Sequence, residues 1–198
     1  SVTNQFGVLV QNGGVISGGT SATATIQCSV GAASADGNVG VYVTGTNARI
    51  TSLGGNVSVV GLGGSTGAGS TCMGVSVVTN ASITAGGSGT VTVSGTGGAG
   101  SGNFNAGVYL AGAAPTSITS SGGNVSVTGT GGGTGSGIHN YGIWMELGGQ
   151  ITAGGSGSVT VQGTGGTTIG NNNYGILIDD ANTQITSGGG NVSVTGQG

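Results

Sequence analysis

Gly142-Ile143-Trp144-Met145 and Gly175-Ile176-Leu177-Ile178 are two copies of one pattern, a glycine followed by apolar, variable and apolar residues, set 33 residues apart. Read toward the N-terminus, the pattern recurs as Gly107-Val108-Tyr109-Leu110, Gly74-Val75-Ser76-Val77, Gly40-Val41-Tyr42-Val43 and Gly7-Val8-Leu9-Val10, at spacings of 33 to 35. Six copies in 198 residues leave about 33 residues for each. A fixed period of that size is the signature of a repeat architecture, in which one supersecondary unit stacks on its neighbours.

Each period holds two further extended stretches. One centres on an isoleucine between polar residues, as in Ser82-Ile83-Thr84, Ser117-Ile118-Thr119 and Gln150-Ile151-Thr152. The other alternates strictly, as in Asn56-Val57-Ser58-Val59, Asn124-Val125-Ser126-Val127 and Ser158-Val159-Thr160-Val161. A period of two sends valines to one face of a strand and hydroxyls to the other. A glycine pair separates the two stretches in every turn, at 18–19, 54–55, 86–87, 122–123, 154–155 and 188–189, where positive φ at a sharp corner is expected. A longer Gly/Ser/Thr loop, such as Gly131 to Gly137, closes the turn. With glycine every few residues and no period of 3.6, helices are excluded.

The expected fold is therefore an all-β parallel β-helix of six turns with three short strands each. It is read as a single domain over 1–198, with turns starting near residues 7, 40, 74, 107, 142 and 175. Tyr141, Ile143, Met145, Ile151, Val159 and Val161 are expected to point inward in the fifth turn. One turn cannot bury enough apolar surface to hold itself together, so stability has to come from stacking.

A second regularity overlies the first. Gly-Gly-Asn-Val-Ser-Val begins at Gly54, Gly122 and Gly189, and Ala-Gly-Gly-Ser-Gly begins at Ala85 and Ala153. Two alternating kinds of turn make a unit of 67 or 68 residues. The chain starts at Ser1-Val2-Thr3-Asn4 and stops at Thr195-Gly196-Gln197-Gly198, both read as the same corner loop, with no capping segment at either end. Uncapped solenoid ends expose strand edges, so stacking of copies head to tail, or membership of a longer rod, is expected.

Composition narrows the function. Only Arg49, Asp36, Glu146, Asp179 and Asp180 carry charge, lysine is absent, and the net charge is −3. Phosphate binding needs several cations, so nucleic acid is not an expected partner. No apolar run approaches the roughly 18 residues of a membrane span. Glycoside hydrolysis needs two carboxylates across the scissile bond, and lyase chemistry needs a base. One arginine and one small acid cluster supply neither, so no enzyme activity is expected. So little charge suits an extracellular or cell-surface setting.

Particular residues carry more specific expectations. Leu9, Tyr42, Ser76, Tyr109, Trp144 and Leu177 share one register and face away from the valines. That stripe is read as an interaction surface, for lateral bundling or for stacking on surface glycans, unless corner loops cover it. Thr25, Ser58, Thr92, Ser126, Thr160 and Ser193 form a hydroxyl column, either ordinary solvated strand or, remotely, an ice-binding face. Glu146, Asp179 and Asp180 are weak candidates for Ca²⁺, the one cofactor considered, against solvated acids at a corner. Cys28 and Cys72, the only cysteines, are paired as a disulfide or left as buried thiols. Asn38, Asn105, Asn140 and Asn173 stand two residues before the repeat glycine and are expected to bond the corner backbone and their copies above and below.

Runs such as Asn124-Val125-Ser126-Val127-Thr128-Gly129-Thr130-Gly131-Gly132, with Gly107-Val108-Tyr109-Leu110, resemble the giant bacterial β-strand-repeat surface proteins of the filamentous-haemagglutinin type. That resemblance implies a right-handed parallel β-helix in a secreted adhesin or extracellular fibre. Two functions are thus expected: a structural filament segment, or the stalk or glycan-binding region of an adhesin.

Overall fold

The computed structural model describes residues 4–31, 35–64, 66–112 and 116–198. Ser1, Val2 and Thr3 lie outside them, so the start of the expected corner loop does too. Each coil contributes three strands. In the first these are β1 (Phe6–Gln11), β2 (Val15–Gly18) and β3 (Ala24–Ser29). The fourth coil has β10 (Val108–Ala111), β11 (Ser117–Ser120) and β12 (Val125–Thr130), and the sixth β16 (Ile176–Ile178), β17 (Gln184–Ser187) and β18 (Val192–Gln197). They sort into three parallel six-stranded sheets, A, B and C, each taking one strand per coil. The chain is a β-solenoid.

Register explains the core. In sheet B, Ile16, Ile50, Ile83, Ile118, Ile151 and Ile185 stack in one column. In sheet C, Val57, Val91, Val125, Val159 and Val192 form another. In the middle coils these side chains are 0–1% exposed. Like residues therefore meet like residues at one strand spacing, as in any in-register parallel stack.

The third strand is longer than its valine pattern suggests, six residues rather than four. Consequently Thr195, Gly196 and Gln197 belong to β18 and not to a corner loop. The extension carries, one residue before its end, a second glycine column, Gly61, Gly95, Gly129, Gly163 and Gly196, in register with Cys28 of the first coil. This column faces the repeat glycines that open sheet A. A Cβ on Gly107 would lie 2.6 Å from the Gly142 carbonyl oxygen and 2.7 Å from that of Gly95. Glycine is required here because two backbones nearly touch where one sheet ends and the next begins.

The glycine pairs have a different explanation from the one expected. Positive φ occurs only at Gly87 and Gly155, in the third and fifth coils, where Gly89 N–H and Gly157 N–H close turns onto Gly86 and Gly154. In the even coils an inward serine takes over. The hydroxyls of Ser52 and Ser120 donate to the carbonyls of Gly55 and Gly123, and Ser187 Oγ donates to Gly190 O at 2.6 Å. Ala85 and Ala153 occupy the same register in the odd coils. The two-turn repeat is thus an alternation of two corner designs. They interlock, since Asn56 Oδ1 and Asn124 Oδ1 accept the amides of Thr90 and Ser158 in the next coil, each at 2.9 Å.

Candidate functional site

The chain has two phenylalanines, four tyrosines and one tryptophan. All seven, with the single histidine, lie along sheet A outside the main core. The stripe expected from the sequence keeps its register: Leu9 pairs with Tyr42, Tyr42 with Ser76, Ser76 with Tyr109, Tyr109 with Trp144 and Trp144 with Leu177. A second column beside it holds Phe6, Val39, Met73, Ala106, Tyr141 and Tyr174, each just before a repeat glycine. Its members are joined from coil to coil by the Phe6–Val39 pairing and by bonds such as Gly40 N–H to Met73 O and Gly107 N–H to Tyr141 O. Together they make a second apolar cluster, separate from the core.

Tyr141 is therefore not the inward residue expected. Strand β13 (Ile143–Glu146) begins only after Gly142, so alternation does not extend back across the glycine, and Tyr141 packs outside with 5% exposure. The stripe is also less open than expected: Tyr42, Tyr109, Trp144 and Leu177 are half-buried, Ser76 is 2% exposed, and only Leu9 is well exposed.

Ring contacts fall into two groups. Phe6 and Tyr42 pack at 5.1 Å between centroids. Over the fourth to sixth coils, Trp144 is surrounded by Tyr109 at 4.5 Å, Tyr141 at 5.4 Å and Phe104 at 5.7 Å. Phe104 stacks on His139 at 4.9 Å with planes 9° apart, and Tyr141 on Tyr174 at 5.8 Å. Such offset and edge contacts contribute on the order of 0.5–1.5 kcal/mol each beyond burial. The third coil contributes no ring, having Met73 and Ser76.

Backbone strain lies along the same face. Asn4, Gly37, Thr71, Phe104, His139 and Asn172 form a left-handed column with φ from 56° to 72°. Asparagine and glycine tolerate that region, whereas a phenylalanine or threonine there is unfavourable by on the order of 1–3 kcal/mol. What holds the column is the asparagine ladder immediately after it. Oδ1 of Asn38, Asn105, Asn140 and Asn173 accepts the amides of Gln5, Cys72, Asn105 and Asn140 in the preceding coil, at 2.9–3.1 Å. The side amides of Asn38, Asn105 and Asn173 donate to carbonyls three residues back in their own loops. Pairing between copies is thus amide oxygen to backbone N–H, not side chain to side chain.

The acids do not assemble as a metal site. Tyr109 donates its hydroxyl to Glu146 Oε1 at 2.6 Å, Asp180 Oδ2 accepts Leu147 N–H at 3.1 Å, and Asp179 Oδ1 accepts Asp180 N–H at 2.8 Å. Among the described residues no group of three or more His, Cys, Asp or Glu is placed to hold a metal. Glu146, Asp179 and Asp180, the residues considered for Ca²⁺, thus place these oxygens on a tyrosine hydroxyl and two backbone amides.

No disulfide joins Cys28 and Cys72. Cys28 lies within β3, where its thiol donates to Gly40 O at 2.8 Å, while the Cys72 thiol reaches Ala35 O and Ser70 O at 3.5 Å. The two sulfurs are directed to different carbonyls, the arrangement of separate thiols, with Cys72 buried and Cys28 half-buried. Burial pushes the Cys28 thiol up from its ordinary range.

Burial, then the Glu146 hydrogen bond and charge, push the Tyr109 hydroxyl well above its ordinary value of 10.0. A group raised in the folded state contributes stability that is complete below its unfolded value and lost as pH rises through its folded one. Stability is therefore expected to stay flat below pH 10.0 as far as Tyr109 is concerned and to fall above it. An ultraviolet difference titration of the chain against Tyr109→Phe checks this: the missing transition should be the late one.

On the other faces, the sheet C column Thr25, Ser58, Thr92, Ser126, Thr160, Ser193 is in register as expected. The more uniform hydroxyl ladder is on sheet B, where Ser17 is followed by Thr51, Thr84, Thr119, Thr152 and Thr186, and Thr186 Oγ1 donates to Thr152 Oγ1 at 3.1 Å. No protein-family model matches the chain, and no curated protein or solved structure matches it significantly. Phe6, Phe104, His139, Tyr141 and Tyr174 were missed in the stripe because they precede the repeat glycine; the period of 33 to 35 at those positions was the available signal.

Proposed function

We propose that the chain is a rod segment of an extracellular filament, in which a further coil of the same kind covers the sixth. The observation that carries this reading is the state of the last coil. Val159 and Val161 of the fifth coil are 0% exposed, whereas their partners Val192 and Val194 are 46% and 48% exposed, and Ile178 is 44% exposed. Strands β16, β17 and β18 are each paired on one side only. At the first coil Val10, Ala24 and Ile26 are 5–6% exposed while Val8 and Ile16 are half-buried, so the greater apolar demand lies at the sixth coil. A coil of this repeat supplies what that end lacks: parallel edges, with Ala24 and Ile26 in the columns of Val192 and Val194. The sparse charge fits an extracellular setting and does not oppose stacking.

Six coils at about 4.8 Å give a section about 29 Å long. In negative-stain images and sedimentation velocity, the purified chain is expected to form unbranched rods that lengthen with concentration. Val194→Lys, which puts a charge on the open column, should stop elongation and leave the far-ultraviolet β signature intact. A monodisperse particle at every concentration would overturn the reading.

A further inference from the structure

We propose that the third coil carries a carbohydrate-binding slot, formed where one ring is missing from the aromatic face, and that its ligand is an uncharged glycan. This does not depend on the rod reading.

The slot follows from register. Tyr42, Ser76 and Tyr109 are consecutive members of one column, so the rings on either side of Ser76 are two strand spacings apart, about 9.6 Å. Between them is a groove of about 410 Å³. Phe6 backs Tyr42 at one wall and Trp144 backs Tyr109 at the other. Ser76, Val39 and Met73, all 7% exposed or less, lie at the floor.

Three features select the ligand. First, aromatic faces are negative at the ring and attract the weakly positive C–H face of a pyranose. One strand spacing on each side of the inserted ring also exceeds the ~3.5–4.0 Å contact of flat carbon rings, so a puckered ring fills the space better. Second, the lining includes no charged side chain, and its polar side-chain groups are the amide of Asn4 and the hydroxyls of Thr71, Ser76, Thr79, Tyr42 and Tyr109, the last engaged by Glu146. Phosphorylated or sulfated ligands would find no cation there, whereas sugar hydroxyls would find partners.

Third, the polar lining and one wall are fixed in place. Asn4, Thr71 and Thr79 have φ of 56°, 56° and 58°. These are the left-handed corner positions that recur in every coil, so the repeat itself fixes the backbone that presents these polar groups. Tyr109 is held by Glu146, which fixes one wall before any ligand arrives. A pre-formed wall reduces the ordering that binding requires.

Trp144 is the only tryptophan and touches Tyr109, so its fluorescence reports on the slot. The probes are cellohexaose and chitohexaose, with a sulfated heparin hexasaccharide and indole as competitors of other chemistry. The background is Val194→Lys, so that elongation neither helps nor masks binding. A saturable fluorescence change with a neutral hexasaccharide is expected. Tyr42→Ala should weaken it about tenfold, the loss of one stacking wall. Ser76→Tyr, which restores the missing ring, should abolish it with the β signature retained. Tyr174→Ala, on the same face beyond the slot, should bind as the parent does. The proposal is overturned if neither neutral saccharide binds, if binding survives Ser76→Tyr, or if only the sulfated probe or indole is bound. Failure here leaves the sedimentation result of the rod test untouched.

Discussion

Replacing Gly107 by alanine is expected to cost at least about 3 kcal/mol, the upper range for forcing a methyl group into a packed interior. The new Cβ would meet the carbonyl oxygens of Gly142 at 2.6 Å and Gly95 at 2.7 Å. Both are backbone atoms of neighbouring strands, pinned by ladders that run through every coil, so neither can yield as a side-chain tip would. Relief requires sheets A and C to part at that corner. For a chain of this size the midpoint of thermal unfolding should fall by on the order of 10 °C. Gly19→Ala serves as the comparison. Its nearest neighbour would be Ala22 Cβ at 3.9 Å, so it should be neutral or slightly stabilising through the unfolded chain. Circular dichroism of the two variants against the parent tests the claim. Equal midpoints would show that the corner is not close-packed.

Asn105→Ala is expected to be about as damaging for a different reason. Asn105 is 0% exposed, and its side chain accepts Cys72 N–H at 2.9 Å while donating to Gly102 O at 3.1 Å and Gly69 O at 3.3 Å. Truncation leaves a buried amide and two carbonyls with lost partners, each unfavourable by roughly 1–3 kcal/mol, for a total of at least about 3 kcal/mol. Hydrogen exchange gives the sharper reading. The Cys72 amide should lose protection, and so should the left-handed corner at Thr71 and Phe104 that the ladder holds in place. Because each coil contacts only its neighbours, the loss should centre on the third and fourth coils and fade beyond them. Uniform loss along the chain would contradict a quasi-one-dimensional architecture.

Much of this molecule is legible from spacing. A parallel stack places residue i on residue i plus one period, so the 33-residue recurrence of Gly-apolar-variable-apolar fixes which side chains meet. The isoleucine column of sheet B, the valine columns of sheet C and the line from Leu9 to Leu177 all follow from it. Spacing fails where the chain turns. Alternation predicts sides only within a strand, and it placed Tyr141 in the core although Gly142 intervenes. It also made one motif of all the glycine pairs, when Gly87 and Gly155 are left-handed and Gly55 and Gly123 lie against the backbone of the coil before.

The candidate slot divides in the same way. Tyr42, Ser76 and Tyr109 were visible as consecutive entries in one column, and a serine between tyrosines is a gap in any linear reading. Phe6 and Met73 join them only because the corner rotates the residue before each repeat glycine onto the outer face. The thiols and acids show the converse. Cys28 and Cys72, and Glu146 with Asp179 and Asp180, were candidate partners for one another, yet Cys28 bonds the Gly40 carbonyl, Cys72 the Ala35 carbonyl, Glu146 the Tyr109 hydroxyl and Asp180 the Leu147 amide.

By itself the sequence determined the period, the three strands per coil, the parallel register and the members of each core column, because these depend only on repetition and on side-chain alternation. Tertiary structure alone decided how close the backbones come at each corner, which glycines need positive φ, and that every aromatic ring gathers on one sheet around a vacant step. Those depend on distances between coils and on dihedral angles at the turns. A linear pattern holds neither.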